Sequence, residues 1–237
     1  VSASFKVFKY LTISPSFNYQ ERWYTSKLKK EWDDNYVQYT ATDTIVGGVR
    51  IDTVGQFSRV YNYSFGVSAS TKIYGMFRFR SEALKAIRHV ITPTVSYSLT
   101  PDFSAEKYGY YGTYKKNSDG DLATYSYFEK GIYGVPSSQR QSSLSFSIGN
   151  NLEAKVRSKT DTVTGTKKIK LIENLSINGS YNFAADSLKM SLINVSGYST
   201  ILNRFTIRYS ASFDPYAIGV KSTSTGITQV RVNNYMI

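Results

Sequence analysis

The stretch "SSLSFSIGNNLEAKVRS", residues 142–158, decides the fold class because apolar and polar side chains alternate along most of its length. One face would carry serine, glycine, asparagine and charged side chains, and the other would carry the apolar residues Leu144, Phe146, Ile148, Leu152, Ala154 and Val156. A period of two is typical of a β-strand with one dry face. The apolar face would contact either a second sheet in a soluble β-sandwich or the lipid around a membrane barrel. The alternation does not separate the two, because strands of both architectures show it.

The same alternation recurs along the chain and predicts further strands that follow one another in an up-and-down order. The predicted strands cover residues 1–8, 10–22, 57–71, 88–100, 142–157, 172–183, 187–197 and 203–213. The alternation breaks after Leu192, which predicts a bulge. The segment "SEALKAIRH", residues 81–89, is the one place where a short helix is expected.

The connections between the predicted strands differ in length. Two are long and polar, over residues 24–56 and 102–140, and the parity of the strands places both on one side. Long external loops opposite shorter inner turns are typical of outer-membrane barrels. We therefore expect these two segments to be external loops.

The composition bounds the class of protein. The 237 residues include 21 Tyr and 13 Phe. Tyrosine is typical of surfaces in which an apolar band lies between two water-exposed borders, because its ring is apolar and its hydroxyl is polar. Tyrosine also favours β-strands in general. Cysteine is absent, which excludes disulfides and thiolate metal sites. The net charge of +12 suits an anionic partner, but the basic residues are too dispersed to indicate nucleic acid.

A helical membrane protein is excluded, because no stretch approaches the roughly 20 apolar residues of a spanning helix. A barrel strand needs only about 9 to 11 alternating residues, and the wet face here is mostly Ser, Asn, Thr and Gly, as in a hydrated lumen. We therefore predict an all-β, antiparallel, up-and-down transmembrane β-barrel. The chain begins within an alternating run, so residues 1–237 are expected to form a partial outer-membrane barrel domain, about eight strands of a larger barrel.

Four segments carry a resemblance to a known family: "IRHVITPTVSYSLTPDF" (87–103), "NNLEAKVRSK" (150–159), "SYNFAADSLKMS" (180–191) and "FDPYA" (213–217). They resemble the barrel domain of the LptD family of lipopolysaccharide-assembly proteins, in the divergent form found in Bacteroidetes. The resemblance implies a place in the outer membrane and a part in lipopolysaccharide transport and insertion into the outer leaflet. It also implies an LptE-like lipoprotein plug and a periplasmic Lpt bridge as partners, and neither enzymatic activity nor a cofactor.

If the chain forms a barrel, the alternation assigns each strand residue either to the lipid-facing surface or to the lumen. The residues expected to face lipid are Tyr63, Phe65, Leu144, Phe146, Ile148, Phe205 and Ile207. The basic residues expected to face the lumen are Lys155, Arg157, Arg204 and Arg208. They are candidates for the phosphates of a glycolipid, through charge-assisted hydrogen bonds, and ordinary ion pairs with residues such as Glu153 are the alternative.

The sequence gives little indication of a catalytic, metal-binding or aromatic stacking site. His89 is the only histidine, so neither a histidine metal cluster nor a catalytic residue is predicted. The motif "YGYYGTY" (108–114) indicates loop packing or, alternatively, a stacking platform. Two further functions remain open: another large outer-membrane barrel, such as a TonB-dependent importer or a secretion translocon, and a soluble β-rich carbohydrate-binding surface module.

Overall fold

The computed structural model describes residues 1–39, 44–81, 83–158, 165–201, 204–223 and 226–235. Most of these residues are in β-strands, and the helical element among them is a single 3-10 turn at Glu106–Tyr108. Within the described ranges no helix has the length and apolarity to cross a membrane.

The main sheet follows chain order. Its path of hydrogen-bonded neighbours is β1 (Phe5–Val7), β2 (Leu11–Tyr39), β3 (Thr44–Ser70), β5 (Leu84–Thr100), β8 (Gln141–Arg157), β9 (Thr166–Asn182), β10 (Ile193–Ile201) and β11 (Phe205–Phe213). The registers described between these strands are antiparallel. The predicted all-β, antiparallel, up-and-down class is thus confirmed, and the eight strands of the path match the expected number.

A further strand, β4 (Ile73–Arg78), pairs with β5 beside the segment paired with β3. Between β3 and β4, the backbone N–H of Thr71 donates to the carbonyl of Pro93 at 3.2 Å. The helix expected over residues 81–89 is wrong, because Leu84 onward belongs to β5. The ladder with β4 satisfies the backbone groups there and overrides the local helix preference.

The remaining strands form two hairpins with sheets of their own. They are β6 (Tyr111–Lys115) with β7 (Leu122–Ser126), and β12 (Tyr216–Thr223) with β13 (Gly226–Tyr235). By contacts the chain divides into two compact units, unit 1 (1–16, 65–99 and 142–237) and unit 2 (17–64 and 100–141).

The loop expected over residues 24–56 is wrong as secondary structure, since β2 and β3 extend through most of it; residues 40–43 lie outside the described residues. This part of the hairpin carries many charged side chains among apolar ones such as Leu28, Trp32 and Ile51. Arg50 lies 2.9 Å from Asp52 on its own strand and 3.7 Å from Asp33 across the hairpin. Cross-strand charge pairs of this kind contribute to the pairing of strands.

The buried side chains are distributed unevenly between the units. In unit 2, a cluster of Tyr24, Val60, Phe103, Tyr110 and Phe128 is buried. Among the described residues of unit 1, the buried hydrophobic side chains are Ala154 and Tyr216. The main sheet in unit 1 therefore has almost no hydrophobic interior of its own.

The pairing of β9 shifts near the start of β10. Tyr181 bridges Met190, whereas Asn178 pairs with Asn194, so the three residues 191–193 on one side oppose the two residues 179–180 on the other. One extra residue lies between the two pairs, as the predicted bulge near Leu192 requires. The strand itself begins at Ile193, later than the predicted residue 187.

Candidate functional site

One face of the main sheet in unit 1 carries hydroxyl and amide side chains, and we call it the polar face. Register fixes it, because directly paired residues share a face: Ser147 pairs with Asn178, which in turn pairs with Asn194. Hydroxyl contacts extend it across neighbouring strands. The Oγ atoms of Ser98 and Ser143 lie 2.9 Å apart, and the Ser212 hydroxyl donates to Asn194 Oδ1 at 2.7 Å.

A hollow of about 450 Å³ lies among these side chains. Its polar lining residues include Thr94, Ser96, Ser145, Ser147, Asn178 and Asn194. Hydroxyl and amide groups both donate and accept hydrogen bonds, and so do the hydroxyls of sugars. The polar face is chemically suited to water and to polar headgroups.

The opposite face of unit 1 is apolar, and we call it the apolar face. Ile148 pairs with Ile177, and Ile177 pairs with Val195, so these side chains share it. At the edge strand β11, Phe205 is 65% exposed and Ile207 is 51% exposed. An exposed apolar surface that is continuous across several strands marks contact with a membrane or with a protein partner.

The residues expected to face lipid divide into two groups. The apolar face carries Phe65, Leu144, Phe146, Ile148, Phe205 and Ile207, as their registers show. Tyr63 is different, because its ring packs edge-on against Phe103 with centroids 5.5 Å apart, and its hydroxyl lies 3.3 Å from that of Tyr108. The long connection after β5 covers this tyrosine, so its aromatic contacts are with the protein itself.

The predicted basic residues are not brought together at one point. Lys155 and Arg157 lie on the polar face at the end of β8, opposite Lys168 and Thr166. Arg208 lies on the same face of β11, with its guanidinium carbon 5.7 Å from the centre of the Tyr198 ring. Arg204 precedes β11, and its backbone N–H donates to the carbonyl of Ile201 at 3.1 Å.

Three basic residues that the sequence did not single out lie near the end of β8. Arg88 contacts Glu153 at 2.7 Å, Lys170 lies opposite Glu153 and 3.6 Å from Glu173, and Lys168 lies opposite Lys155. The ion pair expected for Glu153 therefore exists, but its partner is Arg88. The run "KKIK" at 167–170 carries a signal for them, but it lies before the predicted strand 172–183.

The weaker candidates have ordinary structural roles. His89 Nε2 lies 3.1 Å from Asn150 Oδ1, and no group of three or more metal-ligating side chains occurs in the part of the chain that the structure describes. Tyr110 is only 3% exposed and belongs to the buried cluster of unit 2, which favours the packing interpretation of "YGYYGTY".

An antiparallel up-and-down sheet with one hydroxyl-rich face and one exposed apolar face has the architecture of an outer-membrane barrel domain. Comparison with protein families agrees with this class, since the family described as "LptD protein" matches residues 1–216. The chain belongs to the LptD family. A search of characterised proteins and a search of solved structures each gave no match.

Membership of this family defines the general role. LptD proteins are outer-membrane proteins that take part in lipopolysaccharide transport and outer-membrane assembly, and the family is one of transport proteins rather than of enzymes. The family therefore implies lipopolysaccharide and components of the Lpt system as partners.

Proposed function

We propose that this chain forms part of an outer-membrane barrel that takes up lipopolysaccharide and helps to insert it into the outer leaflet. The observation that carries the proposal is the pairing of an exposed apolar face with an almost coreless sheet in unit 1. A soluble sandwich would bury that face beneath a second sheet. In a bilayer, acyl chains take the place of the second layer.

The polar face and the apolar face would contact different chemical groups. The polar face is suited to sugar and phosphate groups, because its hydroxyls and amides can exchange hydrogen bonds with a moving headgroup. The apolar face is suited to the acyl chains of the surrounding bilayer. No covalent bond changes in this process, so the chain acts by offering a polar surface to the headgroup of the lipid while its apolar face contacts the bilayer.

The family also supports more specific proposals. An LptE-like lipoprotein would occupy the inside of the complete barrel, and a periplasmic Lpt bridge would deliver the lipid. We place residues 102–140 and the far part of the β2–β3 hairpin outside the membrane. Both segments belong to unit 2, which has its own buried cluster and so does not require lipid to cover it.

Adjacent residues on opposite faces provide a sharp test. A photo-crosslinking amino acid would replace either Ser147, on the polar face, or Ile148, on the apolar face, in the full-length protein in growing cells. We expect lipopolysaccharide adducts from position 147 and phospholipid adducts from position 148. The proposal fails if position 147, in a properly assembled protein, never yields a lipopolysaccharide adduct.

Detergent dependence tests the soluble alternative. A membrane barrel should stay monodisperse only when detergent or a lipid nanodisc covers its apolar face. Monodisperse full-length protein in plain buffer would favour a soluble module instead.

A further inference from the structure

The strand β4 forms an open edge of the main sheet in unit 1. In the described part of the chain it pairs with β5 alone. The β1–β2 hairpin turns beside the start of β4, since the hydroxyl of Thr71 donates to the carbonyl of Tyr10 at 2.9 Å. The six residues of β4 span about 20 Å at the rise of a β-strand, so β4 projects past that turn.

The register shows which backbone groups of β4 are directed away from β5. Just before β4, the N–H of Thr71 donates to Pro93 at 3.2 Å, and just after it the N–H of Phe79 donates to Lys85 at 2.9 Å. Hydrogen-bonded and non-hydrogen-bonded pairs alternate along an antiparallel ladder. The even-numbered residues of β4 therefore direct their N–H and C=O groups to the open edge. These residues are Tyr74, Met76 and Arg78.

The open edge is built in a way that permits pairing with another strand. Natural sheet edges are usually protected by charged residues, proline or bulges. The run "IYGMF" at 73–77 contains neither charge nor proline, and Tyr74 and Met76 are 66% and 60% exposed. Lipid cannot cover this edge, because acyl chains offer no hydrogen bonds to backbone groups. Another β-strand would satisfy both the backbone groups and the apolar side chains.

The charge around the open edge favours an acidic strand. Between residues 72 and 88, Glu82 is the one acidic residue of the sequence. The basic residues of the same stretch are Lys72, Arg78, Arg80, Lys85 and Arg88. A second copy of this chain is disfavoured, because two β4 strands paired about Gly75 would bring Lys72 opposite Arg78. Like charges directly opposite each other destabilise a sheet.

We propose that β4 binds an extended acidic segment of a partner protein, which adds to the main sheet as a further strand. Hydrogen bonds from the backbone of Tyr74, Met76 and Arg78 would supply affinity, and carboxylates beside the flanking basic residues would supply selectivity. β4 lies at the end of the strands opposite to the segments assigned outside the membrane, so the partner would be periplasmic. That location rests on the proposed function, whereas the strand addition does not.

Proline substitutions test the open edge, because a strand tolerates proline where its N–H does not serve the existing ladder. Met76→Pro removes an N–H directed to the open edge, and Met76→Ala is the matched control that keeps this N–H. Tyr74→Pro and Tyr74→Ala form a second pair of the same kind. Phe77→Pro removes an N–H directed to β5 and should lower the folded fraction, which checks the register. Each variant is made in the full-length protein in detergent, and gel mobility reports folding.

The probes are three short synthetic peptides, and fluorescence anisotropy measures their binding. The first alternates valine and glutamate, the second has lysine in place of glutamate, and the third is the acidic peptide with N-methylated backbone amides. We expect the wild type and Met76→Ala to bind the acidic peptide equally. Met76→Pro should bind it at least about tenfold more weakly, which is the scale of one hydrogen bond left unmade. The other two peptides should bind the wild type more weakly by a similar factor.

Several outcomes would overturn the proposal. Equal binding of the acidic peptide by folded Met76→Pro and Met76→Ala would do so, as would equal binding of all three peptides by the wild type or binding of none. The N-methylated peptide tests the same hydrogen bonds in the unaltered protein, whether or not the proline variants fold. Self-association that is lost in Met76→Pro would assign the edge to a second copy instead. None of these results depends on lipopolysaccharide adducts at position 147, so the proposed function can stand if this proposal fails.

Discussion

The ring of Phe146 lies over Gly179, its register partner on the neighbouring strand. A Cβ atom placed on Gly179 would come within 2.8 Å of the ring carbon Cζ. Tyr209 covers Gly197 in the same way, at 2.6 Å from the corresponding Cβ position. Glycine weakens a strand because it has no side chain to pack, and an aromatic ring on the adjacent strand compensates for this loss.

This relationship predicts that Gly179→Ala destabilises the protein. The new methyl group must displace the Phe146 ring from its position, and overpacking of this kind costs about 1–3 kcal/mol. The measurement is the midpoint of unfolding in detergent, followed by the mobility shift that distinguishes folded from unfolded barrels on gels.

Gly149→Ala is the matched control on the adjoining strand, because a Cβ there meets no atom closer than 3.7 Å. We expect this variant to be as stable as the wild type. If the two alanine variants unfolded at the same midpoint, the aromatic ring would not be constrained by Gly179.

A charge placed on the apolar face should interfere with assembly. Ile207→Lys puts an ammonium group on the exposed apolar face of β11, and near the bilayer midplane this costs about 2–4 kcal/mol. The adjacent variant Thr206→Lys puts the same charge on the polar face, opposite Thr200, where water can solvate it. The fraction of protein that reaches the folded form in membranes measures the difference. Equal loss in both variants would contradict the assignment of the faces.

The up-and-down order of the strands could be predicted from the sequence, because the alternation that indicates each strand is local. Alternation such as that of Leu144, Phe146 and Ile148 needs only neighbouring residues to be seen, and a hairpin order follows from short connections. The extension of β2 and β3 was not predictable in the same way. Many of its residues, such as Arg50 and Asp33, are charged, so in sequence the segment resembles a polar loop more than a pair of strands.

The candidate site was only partly predictable for a related reason. Lys155 and Arg157 were identified because they alternate with apolar residues on one strand. Their cross-strand neighbours depend on register, and the register of β8 with β9 shifts between Asn150 and Glu153. A shift of this kind is set by the whole ladder, so the opposition of Lys168 to Lys155 could not be read from either strand alone.

In unit 2, the hydroxyl of Tyr110 holds the backbone of β3. It accepts a hydrogen bond from the N–H of Tyr61 at 2.9 Å, and Tyr110 itself is 3% exposed. Tyr110→Phe should leave that N–H without a partner, at a cost of about 1–3 kcal/mol. Faster hydrogen exchange at the Tyr61 amide and faster proteolysis within residues 101–140 would report the loss.

Tyr114→Phe serves as the control for Tyr110→Phe. Tyr114 also belongs to unit 2, and its hydroxyl makes no hydrogen bond to protein in the described residues, although its ring contacts that of Tyr125. Its removal should leave the exchange of the Tyr61 amide unchanged. Identical exchange in wild type and Tyr110→Phe would show that the hydroxyl does not hold the strand.

The same cluster should make unit 2 sensitive to alkaline pH. Burial raises the pKa of Tyr110 and that of Tyr111, which both lie in the connection between β5 and β8. The folded-state pKa of each tyrosine exceeds the ordinary value of about 10. The contribution of the neutral tyrosines to the free energy of unfolding is therefore complete below that pH, and it is lost as pH rises through the folded-state pKa. Tyrosine ring carbon resonances, assigned with the Tyr110→Phe and Tyr111→Phe variants, would follow each ionisation. We expect both residues to ionise only when the backbone amides of the cluster lose their protection from hydrogen exchange. Ionisation near pH 10 while those amides are still protected would contradict the role of burial.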